Sequence, residues 1–452
     1  MENKGVGSLF FKRLVCYLCI LAFTNFGVIF SVLGLPSPLR VALLVVLVAV
    51  VIYYNIKPDN DKLAPRRLRI MVGGRELLIA AGIISACQIA IYVYLFVFAK
   101  LDTSTTIMAL TSIIGVIAII LMALNGLVRI FATSLNTGVL LRVAVFLFWW
   151  TPGANIALIV AVSKIVKAEY DTQVKRYFLN RDRRGQAVCG TRYPLLLVHG
   201  VFFRDWKHFN YWGRIPKELT DNGARIFYGN HNSSLPVEQT AHELKQRILD
   251  VLQETGAAKV HIIAHSKGGL DSRYAISQLG MGKYVASLTT INTPHRGTPL
   301  ASALMDVTPD KFQHAIGRRY KALFRRLGDS DSDFLGSVKD LTPERCRELN
   351  QIMPDDRGVL YQSLGSKMGS STSAIFPLNL GHAIIKGLGG DNDGLVCTDS
   401  MAWGNALPIV LPQGRAGISH ADMVDLTRKD IRNFDVCELY VGLVSDLRER
   451  GL

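Results

Sequence analysis

The stretch "VHIIAHSKGGLDSRY", residues 260–274, stops an apolar, β-rich run at a serine and follows it at once with two glycines. A serine hydroxyl is a weak nucleophile until a base takes its proton. It must also stand clear of the backbone so that a carbonyl carbon can reach it. A sharp strand-to-helix turn achieves this and demands small residues two before and two after the serine. Around Ser266 those positions hold Ala264 and Gly268, one methyl group away from the usual G-x-S-x-G. The bland alternative is a tight turn whose serine caps the helix.

The same turn aims the backbone N–H of Lys267 at the reaction centre, and a tetrahedral oxyanion needs a second donor. "LLLVHGVF" (195–202) supplies one, because His199-Gly200 ends an early strand and the N–H of Val201 follows a glycine that permits close approach. The Lys267 side chain reads as a surface group, and His199 and His265 read as structural. An acid and then a base should follow the serine in the chain. "GGDNDGLVCTDSM" (389–401) offers Asp391, Asp393 and Asp399, and "GISHADMVDL" (417–426) offers His420. His382 is a rival base, but it precedes all three acids. Asp393 is the preferred acid because an apolar, glycine-rich run resembling a strand end lies just before it.

These groups lie far apart in sequence, so a scaffold must gather them. Short apolar runs at 194–200, 224–229, 260–266, 285–293 and 359–365 read as strands. Between the second and third, "PVEQTAHELKQRILDVLQETG" (236–256) spaces its apolar residues three and four apart, as a helix does. Alternation of this kind implies a parallel sheet covered by helices on both faces. The charged stretch Pro299–Gly358 is too long for a plain connection and reads as a mostly helical insertion.

Together, "YPLLLVHGVF", "HIIAHSKGGLDSRYA", "LTTINTPHRGTPLA", "DNDGLV" and "SHADMVDL" resemble the true bacterial lipases, the triacylglycerol lipase group of the α/β-hydrolase superfamily, from Tyr193 to about Val441. The resemblance implies the α/β-hydrolase fold, a catalytic triad of Ser266, Asp393 and His420, oxyanion donors at Val201 and Lys267, and a mobile lid after Pro299. It implies an acyl-lipid ester as substrate. The triad itself requires no cofactor. Members of the family often bind one structural calcium near the histidine loop, and Asp422 matches one ligand. The other carboxylate is missing from "SSTSAIF", and Leu426 replaces a further side-chain ligand.

The first third of the chain is of another kind. All ten histidines lie at or beyond His199, while long uncharged runs lie before Lys164. Five of these, Leu14–Leu39, Val41–Ile56, Leu77–Ala99, Thr103–Val128 and Val143–Ser163, suggest membrane crossings. The last carries Trp149, Trp150, Pro152 and Gly153 at its middle, so it is either one kinked helix or two half-crossings around a turn. The organisation expected is a transmembrane region (1–165), a basic linker (166–189) and a lipase-like domain (190–452).

The net charge of +15 is concentrated here, with 14 Lys+Arg against 5 Asp+Glu in residues 1–165. Lys57, Lys62, Arg66, Arg67, Arg69 and Arg75 mark one loop as cytoplasmic. Five crossings then place the C-terminal domain outside the cytoplasm. A re-entrant fifth segment keeps it inside, with the basic run Lys164–Arg184. Basic residues beside membrane segments, without a recognition motif, exclude a nucleic-acid partner. The seven cysteines do not settle the compartment: Cys189, Cys346, Cys397 and Cys437 show no metal-ligand spacing, and the Cys16–Cys19 CxxC pair, inside an apolar segment, reads as packing.

The function expected is a membrane-anchored serine esterase acting on acyl lipids. The alternatives are an acyltransferase on the same triad, or a membrane sensor or transport module with a non-catalytic hydrolase-like domain.

Overall fold

The structure, a computed structural model, describes residues 3–58, 64–97, 105–151, 153–201, 211–307, 333–388, 390–411 and 417–452. It divides into two compact units, Met1–Phe178 with Asp430–Arg432, and Leu179–Lys429 with Asn433–Leu452.

The first unit is helical: α1 (Asn3–Thr24), α2 (Phe26–Leu33), α3 (Ser37–Ile56), α4 (Arg66–Val97), α5 (Thr105–Thr133), α6 (Val139–Phe148) and α7 (Ala154–Asp182). Of these, α3, α4 and α5 are long and apolar enough to cross a membrane, and α1 with α2 passes the same test as a pair bent by 79°. At the bend, Thr24 and Asn25 both donate to Gln88 Oε1 at 2.8 Å, and Gln88 Nε2 returns a bond to Asn25 Oδ1 at 2.8 Å. Polar groups inside an apolar bundle persist when they satisfy one another in this way. The α4–α5 contact is a glycine crossing. A Cβ on Gly74 would lie 2.6 Å from the Gly126 carbonyl oxygen, and one on Gly126 2.8 Å from that of Gly74.

Two sequence expectations change here. Among the described residues three helices, or four with α1 and α2 as one, are long and apolar enough to span, against the five crossings expected; the fifth apolar segment is divided between α7 and α6, which at ten residues is too short to span a bilayer. The polar connector is helical through Asp182. Its Lys, Glu, Gln, Arg and Ala residues are good helix formers, and Lys167 pairs with Asp171 one turn on at 2.9 Å.

The second unit is built on a six-stranded parallel sheet in the order β2-β1-β3-β4-β5-β6. The strands are β1 (Leu195–Val198), β2 (Ile226–Tyr228), β3 (Val260–His265), β4 (Val285–Ile291), β5 (Leu360–Leu364) and β6 (Asn405–Ala406). The first five match the apolar runs of the sequence. In β1, β3 and β4 every residue is buried, as continuous apolar runs in a parallel sheet require. The helices are α8 (Ile215–Asp221), α9 (Val237–Thr255), α10 (Gly268–Gln278), α11 (Pro299–Val307) and, later, Phe334–Lys339, Pro343–Ile352, Leu378–Gly387, the single turn Thr398–Met401 and Val436–Glu449. The buried face of α9 is Val237, Ala241, Leu244, Ile248 and Val251, the three-and-four spacing read from sequence. The fold is that of an α/β-hydrolase. The described ends of the 299–358 insertion are helical, and the centre of the expected lid, 308–332, lies outside the described residues.

Candidate active site

The carboxyl ends of β1, β3 and β4 converge, the usual place for a site in an open α/β sheet. At the end of β3, Ser266 adopts the left-handed region at φ 56°, a cost that a non-glycine residue bears only where its surroundings enforce it. They do so closely. Ser266 N donates to Ile291 O of β4 at 2.9 Å, and the Ser266 carbonyl accepts from Thr293 Oγ1 at 2.8 Å. A Cβ on Gly268 would lie 2.6 Å from the His199 carbonyl oxygen, and one on Gly200 2.6 Å from Ser266 Cβ. The absence of side chains at 200 and 268 therefore lets the β1 turn and the elbow pack together, with Val201 continuing past the serine. Ser266 is half-buried while His265, Lys267 and Gly268 beside it are buried.

Asp393 is fully buried and collects four donors. Its Oδ1 accepts from the N–H groups of Leu395 at 2.9 Å and Val396 at 2.8 Å. Its Oδ2 accepts from Asn292 Nδ2 at 2.6 Å and lies 2.6 Å from His420 Nδ1. A carboxylate with this pattern acts only as acceptor, so Nδ1 carries the imidazole proton and Nε2 is left as a base. The main chains also meet, His420 N donating to Asp393 O at 2.9 Å. Asp393 sits in a turn after the helix Leu378–Gly387 rather than at a strand end, because the apolar run before it closes that helix.

His265 completes the circuit. Its ring packs on that of His420, with centroids 4.4 Å apart. Nε2–H donates to the His420 carbonyl at 3.2 Å, and Nδ1 meets Tyr211 OH at 2.5 Å. Burial, reinforced by the neighbouring His420, holds the His265 ring well below the ordinary histidine pKa, so it serves as a neutral donor–acceptor strut. His199 is also buried and stacks on His231 with centroids 4.2 Å apart. His382 turns to Asn392 at 3.0 Å, and Asp391 pairs with Lys367 at 2.5 Å and Lys386 at 2.8 Å.

The Lys267 side chain is not on the surface. It is fully buried, 2.7 Å from Asp271 Oδ1 and 3.1 Å from Thr240 Oγ1 of α9. Burial pushes the Asp271 carboxyl up to about 7 despite the lysine beside it. The i,i+4 spacing of Lys267 and Asp271 was the signal for this pair. Asn292 was missed altogether. It also holds Ser366 Oγ at 2.7 Å, and its φ of 47° at a strand end marks it as constrained.

The residues present do not fit a calcium ion at the histidine loop. Asp422 Oδ2 accepts from Ser419 N at 3.0 Å and Oγ at 2.6 Å. Both oxygens of the nearby Asp425 are bonded to Arg214. Among the described residues no group of three His, Cys, Asp or Glu is placed to hold a metal.

Residues 192–295 match the family model described as lipase (class 2). A triacylglycerol lipase of Vibrio cholerae is 31% identical over 245 residues, covering 49% of this chain and 78% of that protein. Another, from Pseudarthrobacter phenanthrenivorans, is 34% identical over 179 residues, covering 37% of this chain and 55% of the relative. The chain spans about half the length of that relative and of the one from Burkholderia plantarii. A mature Bacillus licheniformis lipase structure covers 56% of this chain and 91% of its own, at 21% identity and a TM-score of 0.42.

Proposed function

The chain belongs to the triacylglycerol lipase family, and from that premise we propose that it is a membrane-anchored serine esterase hydrolysing carboxylic esters of acyl lipids through an acyl-enzyme. The reading is carried by one closed circuit of contacts. Ser266 bonds to Ile291, the adjoining Asn292 to Asp393, Asp393 to His420, and His420 to His265, the peptide neighbour of the serine. In the proposed reaction His420 Nε2 takes the Ser266 proton as the oxygen attacks the ester carbonyl. Asp393, with Asn292 at its back, keeps the proton on Nδ1 and stabilises the imidazolium. The N–H groups of Val201 and Lys267 receive the oxyanion. The alcohol leaves with the proton from His420, and water, deprotonated by the same imidazole, releases the acid. The test is turnover of a p-nitrophenyl ester. Ser266→Ala is expected to lack it, and a Ser266→Ala protein that keeps full turnover overturns the assignment.

The count of spans bears on the side of the membrane. Four crossings, with α1 and α2 as one, return the chain to the side on which it began. Lys12, Arg13 and the Lys57–Arg75 loop favour the cytoplasm for that side. The basic run Lys164–Arg184 then lies inside as well. On this count we propose a cytoplasmic catalytic unit, the extracytoplasmic one that five crossings give being the alternative outcome of the test. Protease added to sealed cells should leave it intact and cleave it after permeabilisation. Cleavage in sealed cells contradicts this placement.

A further inference from the structure

Five residues after His420, the chain is held by a clasp. Asp425 adopts the left-handed conformation at φ 54° and its side chain is 1% exposed. Three N–H groups of one residue close on it: Arg214 N and Nε each donate to Oδ2 at 2.8 Å, and Arg214 Nη2 donates to Oδ1 at 2.8 Å. The approach needs glycine before the arginine, because Gly213 has φ 53° and a Cβ there would lie 2.3 Å from the Asp425 carbonyl oxygen. From the other side Tyr440 OH donates to Met423 O at 3.0 Å. A two-pronged guanidinium–carboxylate pair fixes orientation as well as distance. The loop Ser419–Asp425 is thus pinned behind the imidazole, whose own tie to Asp393 is a single 2.6 Å contact.

We propose that Arg214 is a positioning residue for His420, and that its clasp on Asp425 holds the histidine loop without a metal ion. The proposal rests on reading Ser266, His420 and Asp393 as the triad. The carboxylates that would recruit a cation are already committed, Asp422 to Ser419 and Asp425 to Arg214, and Ser370–Phe376 contains no acid. Removing the guanidinium lets the loop sample poses in which Nε2 misses the serine proton. Substrate contacts stay as they were, so the loss falls on kcat.

The experiment uses the full chain in detergent, with p-nitrophenyl butyrate as substrate. Arg214→Ala should lower kcat roughly 10- to 100-fold, as loss of an orienting partner does, and move KM by no more than about twofold. Millimolar guanidinium should restore part of the loss in Arg214→Ala and nothing in wild type. Fluorophosphonate labelling of Ser266 should slow in parallel. EDTA should change neither kcat nor the thermal midpoint. Wild-type kcat in Arg214→Ala, or activity lost to EDTA and restored by calcium, overturns the proposal. Should the alanine variant fail to fold, Arg214→Lys decides, since it keeps the charge and loses the fork. A folded lysine variant with wild-type kcat overturns the proposal, and one with lowered kcat at unchanged KM supports it. Ser266→Ala separates the two readings: if it retains turnover the triad falls, whereas an inactive Ser266→Ala beside fully active Arg214 variants removes only the clasp.

Discussion

In the N-terminal helices Val45, Ile117, Leu121 and Val128 are more than half exposed, while Thr24, Asn25, Gln88 and Glu169 are buried and bonded to one another or to neighbouring groups. In the C-terminal unit the strands β1, β3 and β4 bury every residue, and Asn292, Asp393 and His420 lie buried and bonded in series beyond the end of β4. Two units of one chain therefore treat apolar surface in opposite ways. Outward aliphatic side chains suit a surrounding hydrocarbon, where helix contact comes from glycine crossings and polar pairs. Inward ones suit water, which drives burial and leaves the site at the edge of a core. Buried polar groups fasten elements together in both units, and in the sheet unit a few of them also form the candidate site.

The sharpest way to break this division is Ser266→Ala. It should lower ester turnover by at least about 10³-fold while leaving the thermal midpoint and the membrane association of the chain unchanged. Asp393→Asn keeps the shape but offers His420 the wrong partner, and a loss of roughly 10²- to 10⁴-fold in kcat is expected. Steady-state kinetics on either variant at wild-type rate would dissolve the contrast. Gly200→Ala puts a methyl group 2.6 Å from Ser266 Cβ and should cost about 10- to 100-fold in kcat/KM by displacing the serine.

A smaller effect concerns pH. Burial lowers the His261 pKa from 6.5 to about 4. Between those values the unfolded chain binds a proton that the folded chain refuses, so this group removes stability as pH falls through the window. Its slope approaches about 1.4 kcal/mol per pH unit. The thermal midpoint of His261→Gln should fall less steeply than wild type on acidification from pH about 6.5 to 4, and parallel curves would contradict this. The smallest expected effect is in the bundle. Gln88→Leu removes the donor to Asn25 Oδ1 and should soften the unit by about 0.6 kcal/mol, seen in detergent unfolding, with kcat untouched.

Much of the sheet unit was legible in the sequence because its signals are local. Five strands announce themselves as apolar runs, and Ala264-x-Ser266-x-Gly268 demands its turn through sterics alone. Asp393 and His420 emerged from chain order and type. Asn292 did not, since an asparagine after a strand has many uses and its two bonds reach residues 74 and 101 positions away. β6 is a two-residue pairing with no apolar run to announce it. Lys267 is buried against the expectation of a surface group: its i,i+4 partner Asp271 is visible in the sequence, but the second partner, Thr240 of α9, meets it only in the fold. In the fifth apolar segment Trp149, Trp150, Pro152 and Gly153 marked a kink or a turn, but hydropathy alone does not choose between them.

The central claim is that Ser266 is a nucleophile activated by His420. A fluorophosphonate probe on the full chain in detergent, with peptide mapping by mass spectrometry, tests it directly. The account predicts one adduct, on Ser266, that disappears in His420→Ala. An unlabelled Ser266 in the wild-type chain, or equal labelling in His420→Ala, would contradict it.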